Sequence, residues 1–274
     1  MESRLDQMDF DTLTALLAWQ VELGADEPIG DLPVDRYELP DAAVPMAAVA
    51  PPPKPGPAKA GARPPLPPPM EKADPVALAH TALSGVRDLA GLRAAMAGFE
   101  GCELKRGARN TVFADGLAGA RVMVIGEAPG REEDSVGKPF VGRAGQLLDR
   151  MFAAIGLGRE NTGADGLYIT NIMPWRPPEN RDPNPEEIAT MMPFVQRHVE
   201  LAAPEVLVLM GNISCYALLG RKGVTRLRGQ WAEALNLPVL PMFHPAYLLR
   251  NPGAKRDAWH DLLMLQARLR GGGR

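Results

Sequence analysis

From residue 121 onward the chain alternates short apolar runs with segments of helical period. RVMVIG (121–126), LYITN (167–171), EVLVLMG (205–211) and PVLPMF (238–243) are each bounded by turn residues. Residues 143–156, 185–202, 212–219 and 254–269 carry apolar positions at helical spacing. Strands of this kind alternating with helices predict an α/β fold whose central sheet is mostly parallel, four-stranded and covered on both faces. In such sheets ligands bind outside the carboxyl ends of the strands. The residues just after each run are therefore the candidates for function.

Upstream, composition separates two further zones from this domain, which is expected to span 76–274. Residues 1–41 are acidic, and 11–24 (DTLTALLAWQVELG) read as a helix with Asp11 or Thr12 as its cap and Gly24 at its end. Its stripe of Leu13, Leu16, Leu17 and Val21 cannot be buried by one helix alone, so it is expected to dock on the main domain or on a protein partner. Residues 42–75 form a Pro/Ala-rich stretch with ten prolines between Pro51 and Pro69. Such a segment has too little apolar bulk to offset its ordering entropy and is expected to be an extended, disordered linker. The PxxP spacing from Pro64 to Pro67 is read as part of that spacer.

Charge and cysteine usage exclude several classes. No apolar run approaches the ~18 residues of a membrane span, and the acidic N-terminus has no apolar core of a signal peptide. A cytoplasmic protein, expected to be a monomer, fits both. The net charge of −3 hides a gradient. Residues 1–50 hold 11 Asp/Glu against 2 Lys/Arg, while 201–274 hold 10 Lys/Arg against 4 Asp/Glu. The basic tail is where phosphate contacts would fall, although such an imbalance also suits a solvated surface. Two cysteines, Cys102 and Cys215, leave no room for a disulfide framework or a Cys-rich metal site.

The strand ends carry distinct chemistry. After the first comes Gly126-Glu127-Ala128-Pro129-Gly130, a tight loop around one carboxylate where backbone can approach a ligand closely. It is not a P-loop, because the spacing to Gly137-Lys138 is wrong and no Ser or Thr follows, and it lacks GxGxxG. The second strand ends in Asn171, whose amide can donate and accept as reading a pyrimidine edge requires, or can serve as a turn residue. The fourth leads into His244-Pro245, with Arg250, Lys255 and Arg256 behind it. Phe140, in GKPFVG, is either a stacking surface or ordinary core. A carboxylate, an amide and an imidazole facing one crevice suit a site that holds a flipped, uncharged heterocycle and stabilises charge as it leaves.

At these same residues the chain resembles the family 4 uracil-DNA glycosylases. GEAPGREED (126–134), GKPFVGRAGQLLDRM (137–151), YITN (168–171), RPPENRDPNPEE (176–187) and HPAYLLRNP (244–252) follow the family pattern in order. The resemblance implies a three-layer α/β/α fold and hydrolysis of the N-glycosidic bond of uracil in DNA. The product is an abasic site for base excision repair, without strand nicking. It places Phe140 against the flipped uracil, Asn171 on its polar edge, and Gly126, Glu127 and Ala128 in the pocket wall, with Asn180 as a further pocket residue. Glu127 orients water or the base, His244 stabilises the departing anion, and Pro245, Arg250 and Lys255 meet the DNA. Glu133 is expected where a thymine methyl would go.

The family usually also holds a [4Fe–4S] cluster on four cysteines. Those positions read Phe99, Cys102, Trp175 and Met191 here, and one thiolate cannot hold four irons. The chain is therefore expected to lack the cluster and to have no other cofactor, its place taken by apolar side chains. Two other readings stand beside uracil excision: a non-catalytic nucleic-acid or altered-base binding module of the same fold, and a glycosylase for another deaminated base.

Overall fold

The computed structural model describes residues 74–271; the expected helix at 11–24 and almost all of the expected linker lie outside them. The first described helix starts at Pro75, capped by the Asp74 carboxylate, which accepts from the Val76 amide at 3.0 Å. The domain thus begins a residue inside the segment read as linker.

The sheet has six strands, not the four expected: β1 (Ala114–Gly116), β2 (Val122–Gly126), β3 (Leu167–Asn171), β4 (Val206–Met210), β5 (Ala232–Ala234) and β6 (Leu237–Met242). Their order is β1-β3-β2-β4-β6-β5. The four central strands are the expected ones and run parallel, while β1 and β5 add antiparallel edges. Both edges are three residues long, ADG and AEA, too short and too polar to register as apolar runs.

Nine helices are described: α1 (Pro75–Ala82), α2 (Leu89–Gly98), α3 (Arg131–Val136), α4 (Arg143–Ala153), α5 (Pro185–Ala202), α6 (Asn212–Leu219), α7 (Val224–Leu227), α8 (Pro245–Arg250) and α9 (Lys255–Gly271). Side chains alternate across the sheet, and the two faces bury separate cores. Met123, Ile125, Tyr168, Leu207, Leu209 and Val239 pack with the α2, α5 and α6 residues Leu92, Phe194 and Ile213. Val124, Ile169, Val208 and Leu240 pack on the other side with Leu148 and Phe152 of α4 and Leu262 and Leu265 of α9. This is a three-layer α/β/α arrangement. From β2 the chain steps out to β3 and then returns to β4 on the opposite side of β2, so the order switches beside β2, where open α/β sheets form a crevice.

Candidate active site

Four strand-end segments meet at that crevice. Gly126 and Asn171 are register partners at the ends of β2 and β3. The pairing continues past the strands, the amides of Ile172 and Met173 donating to the carbonyls of Gly126 and Glu127, each at 3.0 Å. Asn171 is buried. A Cβ on Gly126 would overlap the Asn171 side-chain oxygen and come within 2.6 Å of two Phe140 ring carbons. Glycine is what allows both groups to lie against the strand end.

Phe140 arrives from the loop between α3 and α4 with φ +53°, a left-handed backbone that costs an L-residue about 1–2 kcal/mol. Its ring faces the His244 imidazole, with centroids 5.4 Å apart and planes 28° from parallel. Gly211, following β4 at φ +95°, closes the space behind that histidine: a Cβ there would sit 3.3 Å from His244 Cβ. The structure therefore brings Gly126, Phe140, Asn171 and His244 together.

His244 caps α8, its Nδ1 accepting from the Ala246 amide at 3.2 Å. That bond leaves the proton on Nε2. Burial, helped by Arg250 and opposed by Glu133, pulls the imidazole down to about 4, so it is neutral near pH 7. Glu127, next after Gly126 in the chain and partly exposed, is pushed up to about 7 by burial and then by the negative charge of Asp182. A neutral N–H donor and a carboxyl poised near neutrality thus follow the ends of β6 and β2.

Other expected residues fall differently. Ala128 is partly exposed and packs on the core. Asn180 sits on the exposed loop at φ +54°, its side-chain oxygen accepting from Arg176 Nε at 2.7 Å rather than lying free to meet a base. Pro245 is buried at the first position of α8, so it sets the helix start instead of offering a surface to DNA. Arg250 and Lys255 are exposed. Glu133 does not present a free carboxylate. Its oxygens accept from the amides of Gly130 (3.1 Å), Val141 (3.1 Å) and Gly142 (3.2 Å), tying the Glu127 loop to the Phe140 loop. Motif reading passed over Asp182 and Arg159. Asp182 stands inside the quoted RPPENRDPNPEE stretch, whereas Arg159 belongs to no motif and only its coordinates single it out.

Phe99, Cys102, Trp175 and Met191 are all buried and belong to the same hydrophobic core. Phe99 lies edge-on to Phe194 at 5.0 Å, and Trp175 donates from Nε1 to Thr111 Oγ1 at 3.1 Å. Burial pushes the Cys102 thiol up. Cys215, on α6, is pushed up to about 12 by burial. Among the described residues no group of three or more His, Cys, Asp or Glu side chains is placed to hold a metal ion.

An open α/β sheet with polar side chains gathered at its switch point defines an α/β protein with a strand-end site, and comparison with known proteins places the chain in a family. Residues 113–263 match the uracil DNA glycosylase superfamily, and the chain belongs to it. Among its relatives, the type-4 uracil-DNA glycosylase of Thermotoga maritima is 40% identical over 153 residues, covering 55% of this chain and 77% of that protein. Those of Sulfurisphaera tokodaii and Archaeoglobus fulgidus are 37% and 36% identical over 169 residues, 58% of this chain and 75% and 82% of theirs.

Proposed function

We propose that this chain excises uracil from DNA, hydrolysing the N-glycosidic bond and leaving an abasic site. The observation that carries the reading is the convergence of Phe140, Asn171, His244 and the Glu127 loop on one crevice. A flipped uracil stacks on Phe140 while the Asn171 amide donates to and accepts from its polar edge. The bond from C1′ to N1 breaks with its electron pair leaving on the base. His244 Nε2–H donates to the developing uracil oxyanion, and a neutral imidazole can do so without itself losing charge balance. Water adds its oxygen to C1′ and gives its proton to ionised Glu127. No lysine takes part, so the strand is not nicked.

The reaction needs no metal, and the residues present do not fit the iron–sulfur cluster of the family. One buried thiol, with Phe, Trp and Met at the other three positions, cannot ligate four irons. The only polar atom among those three apolar side chains, Trp175 Nε1, already has a partner. We infer a cluster-free protein in which these side chains close the seam between the α2 end, the loop after β3 and α5. Iron assay and absorbance near 400 nm (on protein purified without oxygen) test this; stoichiometric iron would overturn it. Among the described residues no helix is long and apolar enough to cross a membrane. A monomer acting in the cytoplasm fits that and the few scattered exposed apolar side chains, with the N-terminal segment left to meet a protein partner.

Single- and double-stranded oligonucleotides carrying one uracil, followed by alkaline cleavage of abasic sites, test the activity. Product from the uracil strand alone supports it. Tight binding without product by folded protein would instead assign a binding module, and product from hypoxanthine or xanthine strands only would reassign the base.

A further inference from the structure

We infer that Arg159 is a positioning residue for the base-stacking ring: its guanidinium holds the Phe140 backbone in its left-handed turn and thereby fixes where the ring lies. The inference rests on the reading of Phe140 as the surface on which uracil stacks.

Arg159 lies in the loop between α4 and β3, and its side chain is 10% exposed. A guanidinium has five N–H donors in a rigid fork, and here four hydrogen bonds leave it. Nε donates to Asp149 Oδ1 at 2.9 Å. Nη1 donates to Asp115 Oδ2 at 2.9 Å and to the Pro139 carbonyl at 3.1 Å. Nη2 donates to the Phe140 carbonyl at 2.9 Å and lies 2.8 Å from Asp149 Oδ1. Two carboxylates from separate elements, edge strand β1 and helix α4, thus neutralise a largely covered cation whose remaining donors grip two consecutive carbonyls.

Those carbonyls flank the φ torsion of Phe140, which places the Cα–Cβ bond carrying the ring. At φ +53° the Phe140 carbonyl is turned out of any strand ladder. On its α4 side Gly145 comes so close that a Cβ there would overlap it, so the peptide is wedged between helix backbone and guanidinium. Lys138, next to these residues, pairs its Nζ with the remaining Asp115 oxygen at 3.1 Å. Nothing else described bonds the Phe140 carbonyl. A lysine at 159 could keep one ion pair but could not span both carboxylates and both carbonyls. A mere stability knot would treat all ligands alike, whereas a clamp on Phe140 acts on the base alone.

The test compares affinity for an oligonucleotide carrying non-hydrolysable 2′-fluoro-2′-deoxyuridine with the same strand carrying thymine. Their ratio reads recognition of the base apart from the backbone. Arg159→Lys should lower that ratio about tenfold, the size of one lost charge-assisted bond, with thymine-strand affinity within about twofold. In a Phe140→Ala background, where the ratio is already low, Arg159→Lys should lower it no further. A ratio unchanged by Arg159→Lys, or an equal fall in both backgrounds, would overturn the inference. Should Arg159→Lys not fold, Asp149→Asn loosens the same guanidinium from its exposed end. It should cost about threefold in the ratio, and no cost would count against the clamp. A parent protein with no preference for the uracil strand would bring down the uracil reading itself, and this one with it.

Discussion

Gly126 and Asn171 pair across β2 and β3, and the Asn171 amide lies in the space a side chain on Gly126 would fill. Gly126→Ala should therefore displace both the amide and the Phe140 ring. We expect kcat/KM on uracil DNA to fall about 100-fold, which corresponds to roughly 2.7 kcal/mol. Urea unfolding should show a loss of about 1–3 kcal/mol from overpacking. Unchanged turnover would separate the glycine from the site.

The amide itself can be tested by charge. Asn171→Asp puts a carboxylate against a uracil carbonyl and removes a donor, and should lower kcat about 100- to 1000-fold, the scale of a lost oxyanion donor. Circular dichroism should remain that of the parent. Retained activity would remove Asn171 from the base-reading role.

Glu127 is expected to set the pH dependence. Burial and then Asp182 lift its carboxyl to about 7, so kcat/KM should climb as pH rises through that value and the base becomes ionised. Asp182→Asn removes the neighbouring charge and should move the midpoint to lower pH. A profile flat across neutrality would dismiss Glu127 as the titrating base.

Stability should carry the matching signature. A carboxyl held above its unfolded value stabilises the fold while protonated, fully so below the unfolded pKa of 4.5, and loses that contribution as pH rises through about 7. Glu127→Gln, which stays neutral, should melt above the parent at pH 8 and level with it at pH 4. Equal melting at both would show that the carboxyl is not desolvated.

Trp175 reports on the apolar seam. It is 1% exposed, and Trp175→Ala should cost about 3–5 kcal/mol in urea unfolding, as deletion of a buried large aromatic does. A loss below 1 kcal/mol would mean that the indole does not support the fold.

Most of this frame was legible before any coordinates, because period and strand-end position are local signals. The four central strands begin and end within about two residues of the apolar runs, and Gly126, Asn171 and His244 follow directly from looking at their carboxyl ends. The edges were not legible: Ala114–Gly116 and Ala232–Ala234 pair through backbone and carry almost no side-chain pattern. Pro245, which the resemblance expects to meet the DNA, is buried at the first position of α8. Arg159 escaped notice for a different reason. Its partners are carbonyls and carboxylates scattered from 115 to 149, and no spacing in a sequence marks which arginine will face them.

The hydrogen bonds that carry β2–β3 pairing into Ile172 and Met173 also decide which wall of the crevice belongs to the sheet. They make the wall bearing Glu127 and Asn171 a continuation of the sheet, fastened to the most buried strands of the molecule. The opposite wall is held by other means, the Phe140 connection by the Arg159 guanidinium and His244 by its place at the start of α8.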